Sequence, residues 1–172
     1  MKMQFLAILL AWVAGSGMAQ TLEKMTWFNE PEQWKVEDKT LTMSVTPQSD
    51  YWRISHYGFT VDDAPFYYAT YGGEFEAKVK ITGDWSVITL DKPVPYIWIK
   101  AVRRLDAVEI FYSFDDKEYV MMRNAWMQDN IPMKVGVMAV CPDGQGFEVK
   151  FEHFKVKHLP DQRRVEWLEK NK

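Results

Sequence analysis

The 172-residue sequence carries a formal net charge of −3 and has no basic stripe, which argues against a nucleic-acid surface. Its one cysteine, Cys141, excludes an intramolecular disulfide, so stability must come from a packed core. Eight Trp, eight Tyr and ten Phe are a heavy aromatic load for one domain, suited to filling the space between sheets or to stacking on a ligand.

Residues 1–19 read as a secretory signal peptide: Lys2, an apolar run from Phe5 to Ala14, and the small-x-small site Gly17-Met18-Ala19. This predicts export, to the exterior or the periplasm, with cleavage near Ala19. No later segment has the length of a membrane span. Gln33–Val36 and Leu41–Val45 predict a hairpin that reverses through Glu37-Asp38-Lys39. Gln48–Pro65 reads as irregular. Phe66–Tyr68 is a short strand broken by Gly72-Gly73. Phe75, Ala77, Val79 and Ile81 then alternate as a strand with one buried face. Trp85–Leu90 is a further strand candidate, closed by Pro93 and Pro95.

Ile97–Arg123 is the clearest stretch, a meander of three antiparallel strands. Ile97, Ile99 and Ala101, then Val108, Ile110 and Tyr112, form its buried face. Lys100, Arg103, Glu109 and Ser113 are assigned to the wet face. Leu105-Asp106 and Asp115-Asp116-Lys117 supply the turns. Asn124–Pro132 reads as a loop, and Met133–Val140 as a strand covered on both sides, with Cys141 a buried thiol after it. Pro142–Gly146 is a turn, Phe147–His153 a last strand, and Pro160 opens a short polar helix that docks or frays. The division is signal peptide 1–19, sandwich domain 20–157 and helical tail 158–172.

Four stretches carry a family resemblance. They are Trp27-Phe28-Asn29-Glu30-Pro31; Asp50-Tyr51-Trp52-Arg53 with His56-Tyr57-Gly58-Phe59; the meander; and Val135-Gly136 through Gly144-Gln145-Gly146-Phe147. Together they resemble the domain of unknown function 1349 family, also called regulation-of-enolase-like, over nearly all of the chain after residue 19. The resemblance implies an all-β fold, an antiparallel jelly-roll sandwich of the concanavalin A-like lectin/glucanase type, and no assigned activity. Against that pattern a central segment is missing. Gly83 runs directly into Asp84 where family members carry roughly 40 more residues, about four strands with their turns. The fold is therefore expected to be incomplete, its gap closed by re-pairing or by dimerisation, unless the sequence record itself is defective.

Candidate site residues follow from chemistry. A retaining glycosidase needs two carboxylates about 5 Å apart on one face. Glu74 and Glu76 have strand spacing but flank core residues, which places them on a solvated outer face. No catalytic residue is assigned. Trp52, Arg53, His56 and Tyr57, in irregular backbone, are the ligand-binding candidates. An indole or phenol can stack on a sugar, and the guanidinium and imidazole can bond hydroxyls. The other reading of Trp52 and Tyr57 is that they plug the end of the sandwich. Trp85 joins the candidate set, with Trp126 weaker. The three His residues are too scattered for zinc. Asp62-Asp63 or Asp143 offers a weak structural-calcium reading, and no other cofactor is implied. The expectation is a secreted, non-catalytic β-sandwich that binds carbohydrate or another extracellular ligand. The alternatives are a protein-interaction domain and a degenerate glycoside hydrolase.

Overall fold

Alternating side chains and short reversals shape the larger layer. The computed structural model describes residues 22–54, 56, 58–83 and 94–171. In chain order the strands are β1 (Thr26–Phe28), β2 (Trp34–Glu37), β3 (Thr40–Val45), β4 (Tyr51–Arg53), β5 (Thr60–Asp62), β6 (Phe66–Tyr71), β7 (Phe75–Gly83), β8 (Tyr96–Arg104), β9 (Ala107–Ser113), β10 (Val120–Trp126), β11 (Met133–Met138) and β12 (Phe147–His158), followed by helix α1 (Gln162–Lys170). A seven-stranded sheet runs β10-β9-β8-β7-β12-β3-β2, a three-stranded sheet β1-β6-β11, and β4-β5 is a separate hairpin. All the pairings are antiparallel. The expected antiparallel jelly-roll sandwich with a short C-terminal helix is the observed architecture.

The core lies between the two larger sheets. Leu41, Met43 and Val45 of β3, Phe75, Ala77 and Val79 of β7, and Val149, Phe151 and Val156 of β12 are buried from one side. Tyr67 and Tyr71 of β6 and Val137 of β11 meet them from the other. Each fully buried large aliphatic or Phe side chain contributes about 1.5–3 kcal/mol. The β2–β3 hairpin turns on Asp38 and Lys39, both at positive φ (48° and 61°), as a two-residue hairpin requires. Gly136 lets β11 lie against β6, since a Cβ there would collide with the Tyr67 carbonyl oxygen.

Several sequence expectations change. The stretch Gln48–Pro65 is not wholly irregular, because β4 and β5 pair over three residues each. Strands that short show no alternation. Strand β10 extends through Asn124, Ala125 and Trp126, opposite Glu109, Val108 and Ala107, so those residues are not loop. Strand β12 runs on to His158, past a bulge between Glu152 and Lys155 that breaks the alternation. Strand β11 is apolar yet lies at the edge of the small sheet, with Met138 exposed, so it is not covered on both sides. Arg103 shares parity with Ile99 and Ala101. It faces inward opposite Phe75 and is only 2% exposed, not on the wet face. Ser113 is also buried, beneath its hydrogen bond to Asp115. The Trp85–Leu90 strand lies outside the described residues.

The missing central segment is closed by re-pairing. Strands β7 and β8, consecutive in the chain, pair from Phe75↔Arg103 to Thr82↔Tyr96. The meander β8-β9-β10 thereby continues the sheet directly from β7.

Candidate functional site

At one end of the sandwich the β4–β5 hairpin is pinned from several sides. The Asn29 side-chain amide donates to the Asp62 and Ala64 carbonyls. The Tyr51 hydroxyl donates to the Ala64 carbonyl at 2.8 Å, and the Asp50 amide to Asp63 Oδ1 at 2.9 Å. A bridge between Ser49 and Cys141, with the Cys141 amide 3.0 Å from the Ser49 carbonyl, draws the turn after β11 against this hairpin. Cys141 is buried, as expected.

Between hairpin and turn lies a cleft of about 470 Å³ lined by Gln48, Asp50, Trp52, Phe59, Val61, Pro142 and Asp143. Trp52 and Val61 are paired in register, so both side chains rise from one face of the hairpin. Phe59 sits beside them, half exposed. The result is an aromatic and aliphatic floor with two carboxylates and an amide around it. Flat rings can take the apolar face of a small polyhydroxylated ligand, and the rim can accept from hydroxyls.

The candidates separate accordingly. Trp52 lines the cleft. Arg53 is exposed on the opposite face of β4, and His56 occupies the turn at φ 67°; neither lines the cleft. Tyr57 and Trp85 lie outside the described residues. Trp126, 74% exposed, borders a separate recess with Asp106, Asp129 and Arg163. Phe59 and Val61 were not among the sequence candidates, and Asp143 was considered only for calcium. Phe59 had a signal in the Gly58-Phe59 pair, whereas Asp143 arrives only through the long-range Ser49–Cys141 bridge. Among the described residues no three His, Cys, Asp or Glu side chains group closely enough to hold a metal ion. Asp63, one of the acids considered for calcium, accepts the Asp50 amide.

The outer face of the seven-stranded sheet carries a larger cleft, about 770 Å³, bordered by Lys78, Trp98, Asp116, Glu152 and His153. The bulge in β12 puts His153 at φ 55° and stacks its ring on Trp98, centroids 5.5 Å apart. Lys78 Nζ lies over Trp98 at 4.9 Å and bonds both Asp116 oxygens, at 2.7 and 2.8 Å. The Tyr119 hydroxyl also donates to Asp116, and Lys100 lies 3.9 Å over the Tyr119 ring. Lys80 pairs with Glu152 at 3.0 Å and covers Tyr96, and the Thr82 hydroxyl donates to Glu152.

These contacts fix the electrostatics. Burial pushes the Asp116 carboxyl up, but the hydrogen bonds from Lys78 and Tyr119 outweigh it and hold the group below the usual carboxylate range. Burial likewise pushes the Glu152 carboxyl up, but the hydrogen bonds from Lys80 and Thr82 overcome it and leave the group below the usual range. Burial first, then Asp116, raises the Tyr119 phenol. A glycosidase acid must instead hold a proton near neutral pH. Asp116 and Glu152, both held below the carboxylate range, do not fit that role. The ammonium groups also sit over the ring faces that a sugar would need, so this cleft is a self-satisfied lattice.

Glu74 differs from expectation. It is 8% exposed rather than solvated, because the residues leading into α1 fold back over it. Arg104 Nη1 donates to its carboxylate at 2.7 Å and the Gln162 amide at 3.1 Å.

The fold is an antiparallel β-sandwich with a cleft at one end. The chain belongs to the family described as Protein of unknown function (DUF1349), whose model matches residues 27–86 and 82–159. Among curated proteins it is similar to Regulation of enolase protein 1 of Saccharomyces cerevisiae (strain ATCC 204508 / S288c), 22% identical over 178 residues, 78% of this chain and 90% of the relative. Among solved structures it is similar to a crystal structure of a functionally unknown protein from Saccharomyces cerevisiae. The TM-score is 0.76 at 20% identity, over 81% of this chain and 99% of that one, a likeness of fold. The alignment to the curated relative runs over 178 residues yet takes in 78% of a 172-residue chain, so the relative has on the order of 40 residues with no counterpart here. The two matched windows meet at 82–86, where that gap was read from the sequence.

Proposed function

We propose that this chain is a non-catalytic binding domain that takes a carbohydrate in the end cleft, and that its apolar N-terminal stretch serves export. One observation carries the reading: Trp52 and Phe59 line a single cleft whose rim holds Asp50, Asp143 and Gln48. Rings supply the stacking surface, and acids and amide supply the acceptors and donors that a sugar's hydroxyls require. Screening on a glycan array followed by calorimetry tests it. Trp52→Ala and Phe59→Ala should each weaken the best glycan at least tenfold, about 1.4 kcal/mol, with the melting temperature nearly unchanged. Binding that both variants retain, or no glycan bound by the parent chain, overturns the reading.

A second reading is favoured by the relative's name, which points to regulation of another protein. In that case a stable protein partner co-purifies and no glycan signal is found.

A further inference from the structure

The end cleft has a charge pattern that narrows what it takes. Of the described residues lining it, Asp50 and Asp143 are charged and none is Lys, Arg or His. Asp63 adds to the negative field, its Oδ1 accepting the Asp50 amide at 2.9 Å. The basic side chains of this hairpin, Arg53 and His56, do not line the cleft. Arg53 lies on the opposite face of β4, which it shares with Asp62. In the outer cleft, by contrast, Asp116 pairs with Lys78 and Glu152 with Lys80. Among the described residues no such ion pair holds Asp50 or Asp143.

We propose that the end cleft selects amino sugars carrying a free ammonium over neutral and acidic sugars, a refinement that rests on the carbohydrate reading above. The chain itself shows the chemistry. On the outer face Lys78 Nζ lies over Trp98 and against both Asp116 oxygens, an ammonium held between an indole and a carboxylate. The end cleft brings together the Trp52 indole, the Phe59 ring and two carboxylates, and no described side chain lining it supplies the ammonium. A ligand that brings one completes the same arrangement. A hydroxyl donates one neutral bond to either acid. An ammonium donates up to three, each charge-assisted and roughly twice as strong. It is also drawn to the face of an aromatic ring by the ring quadrupole. A uronic acid would set a third carboxylate against two that lack a counter-charge, which costs affinity. N-acetylation removes the charge and with it both advantages.

Calorimetry on the purified chain with three β-linked tetramers tests this: glucosamine, N-acetylglucosamine and glucose, which differ only in the group beside the anomeric carbon. At about pH 6 and low salt the glucosamine tetramer should bind about tenfold more tightly than either of the others. Raising the salt to about 0.5 M, or the pH to about 8.5 where the sugar amines are neutral, should remove most of that preference. Asp143→Ser and Asp50→Asn should each cut the glucosamine-to-glucose affinity ratio about threefold with unchanged circular dichroism. Glu118→Gln, an equal loss of charge at an exposed position in the β9–β10 loop, should leave the ratio as it is. A neutral or acidic glycan bound as tightly as the amine overturns the proposal and leaves the carbohydrate reading standing. So does a ratio that survives both aspartate variants or falls equally in Glu118→Gln. Binding of no glycan at all overturns both.

Discussion

Arg103 sits where alternation reserves a place for an apolar group, with its guanidinium under the segment that follows β10. Its Nη1 donates to the Ile131 carbonyl at 2.9 Å and its Nη2 to the Gln128 carbonyl at 3.1 Å, holding that segment over the end of the sheet. Truncation leaves two carbonyls without these donors and a void as long as the side chain. Arg103→Ala should therefore lower unfolding stability by about 3 kcal/mol, read by urea titration with an unchanged m-value. The sequence misled here because residue type outweighed parity: an arginine next to Arg104 and a turn looks wet. Trp52 was singled out by the same kind of inference, an aromatic beside turn formers, and it lines the end cleft. Its partners Phe59 and Val61 were obscured because β4 and β5 are too short for a period to show.

At the scale of elements, the contacts of α1 among the described residues gather at its first turn. Asp161 caps it, accepting from the Arg164 amide, while Glu74 takes the Gln162 amide from across the chain. Arg163 reaches Asp129 and Asn130, and none of the helix residues is buried. The helix thus neither docks an apolar face nor hangs free. It is fixed by charge and caps at its N-terminal end. Glu74→Gln should cost about 1–2 kcal/mol and speed tryptic cleavage after Arg163 and Arg164 in a timed digest, whereas Glu76→Gln should not. The helix itself was legible from Pro160 and its polar run. Its anchor was not, because Glu74 stands 88 residues before Gln162 and nothing local marks it as buried.

Over the whole molecule, the paired groups set a pH window. Asp116 and Glu152 are held below their usual range, so their contribution is complete above about pH 4 and fades as pH falls through their lowered values. Burial raises Tyr67 and pushes Tyr71 up to about 12. Their contribution is complete below about pH 10 and is lost as pH climbs beyond it. Melting temperature should accordingly be flat from about pH 5 to about pH 10 and fall on both sides, and Asp116→Asn should flatten the acid limb. The two-layer plan was legible from period two and from the spacing of turns. The unequal width of the layers was not, because alternation shows that a strand has an inner face without showing how far the opposite sheet extends.

Joining β7 straight to β8 also bears on how the chain comes together. From Phe75 to Trp126 each strand pairs with the one just before it, so half of the large sheet can zip up through contacts close in sequence. Strand β12 must then slot between β3 and β7, closing one loop of about 100 residues (Val45↔Phe147) and another of about 70 (Gly83↔Val149), about the slowest kind of step in sheet assembly. The last-made segment is thus an interior one, and until it arrives β7–β10 and β2–β3 have no hydrogen-bonded connection.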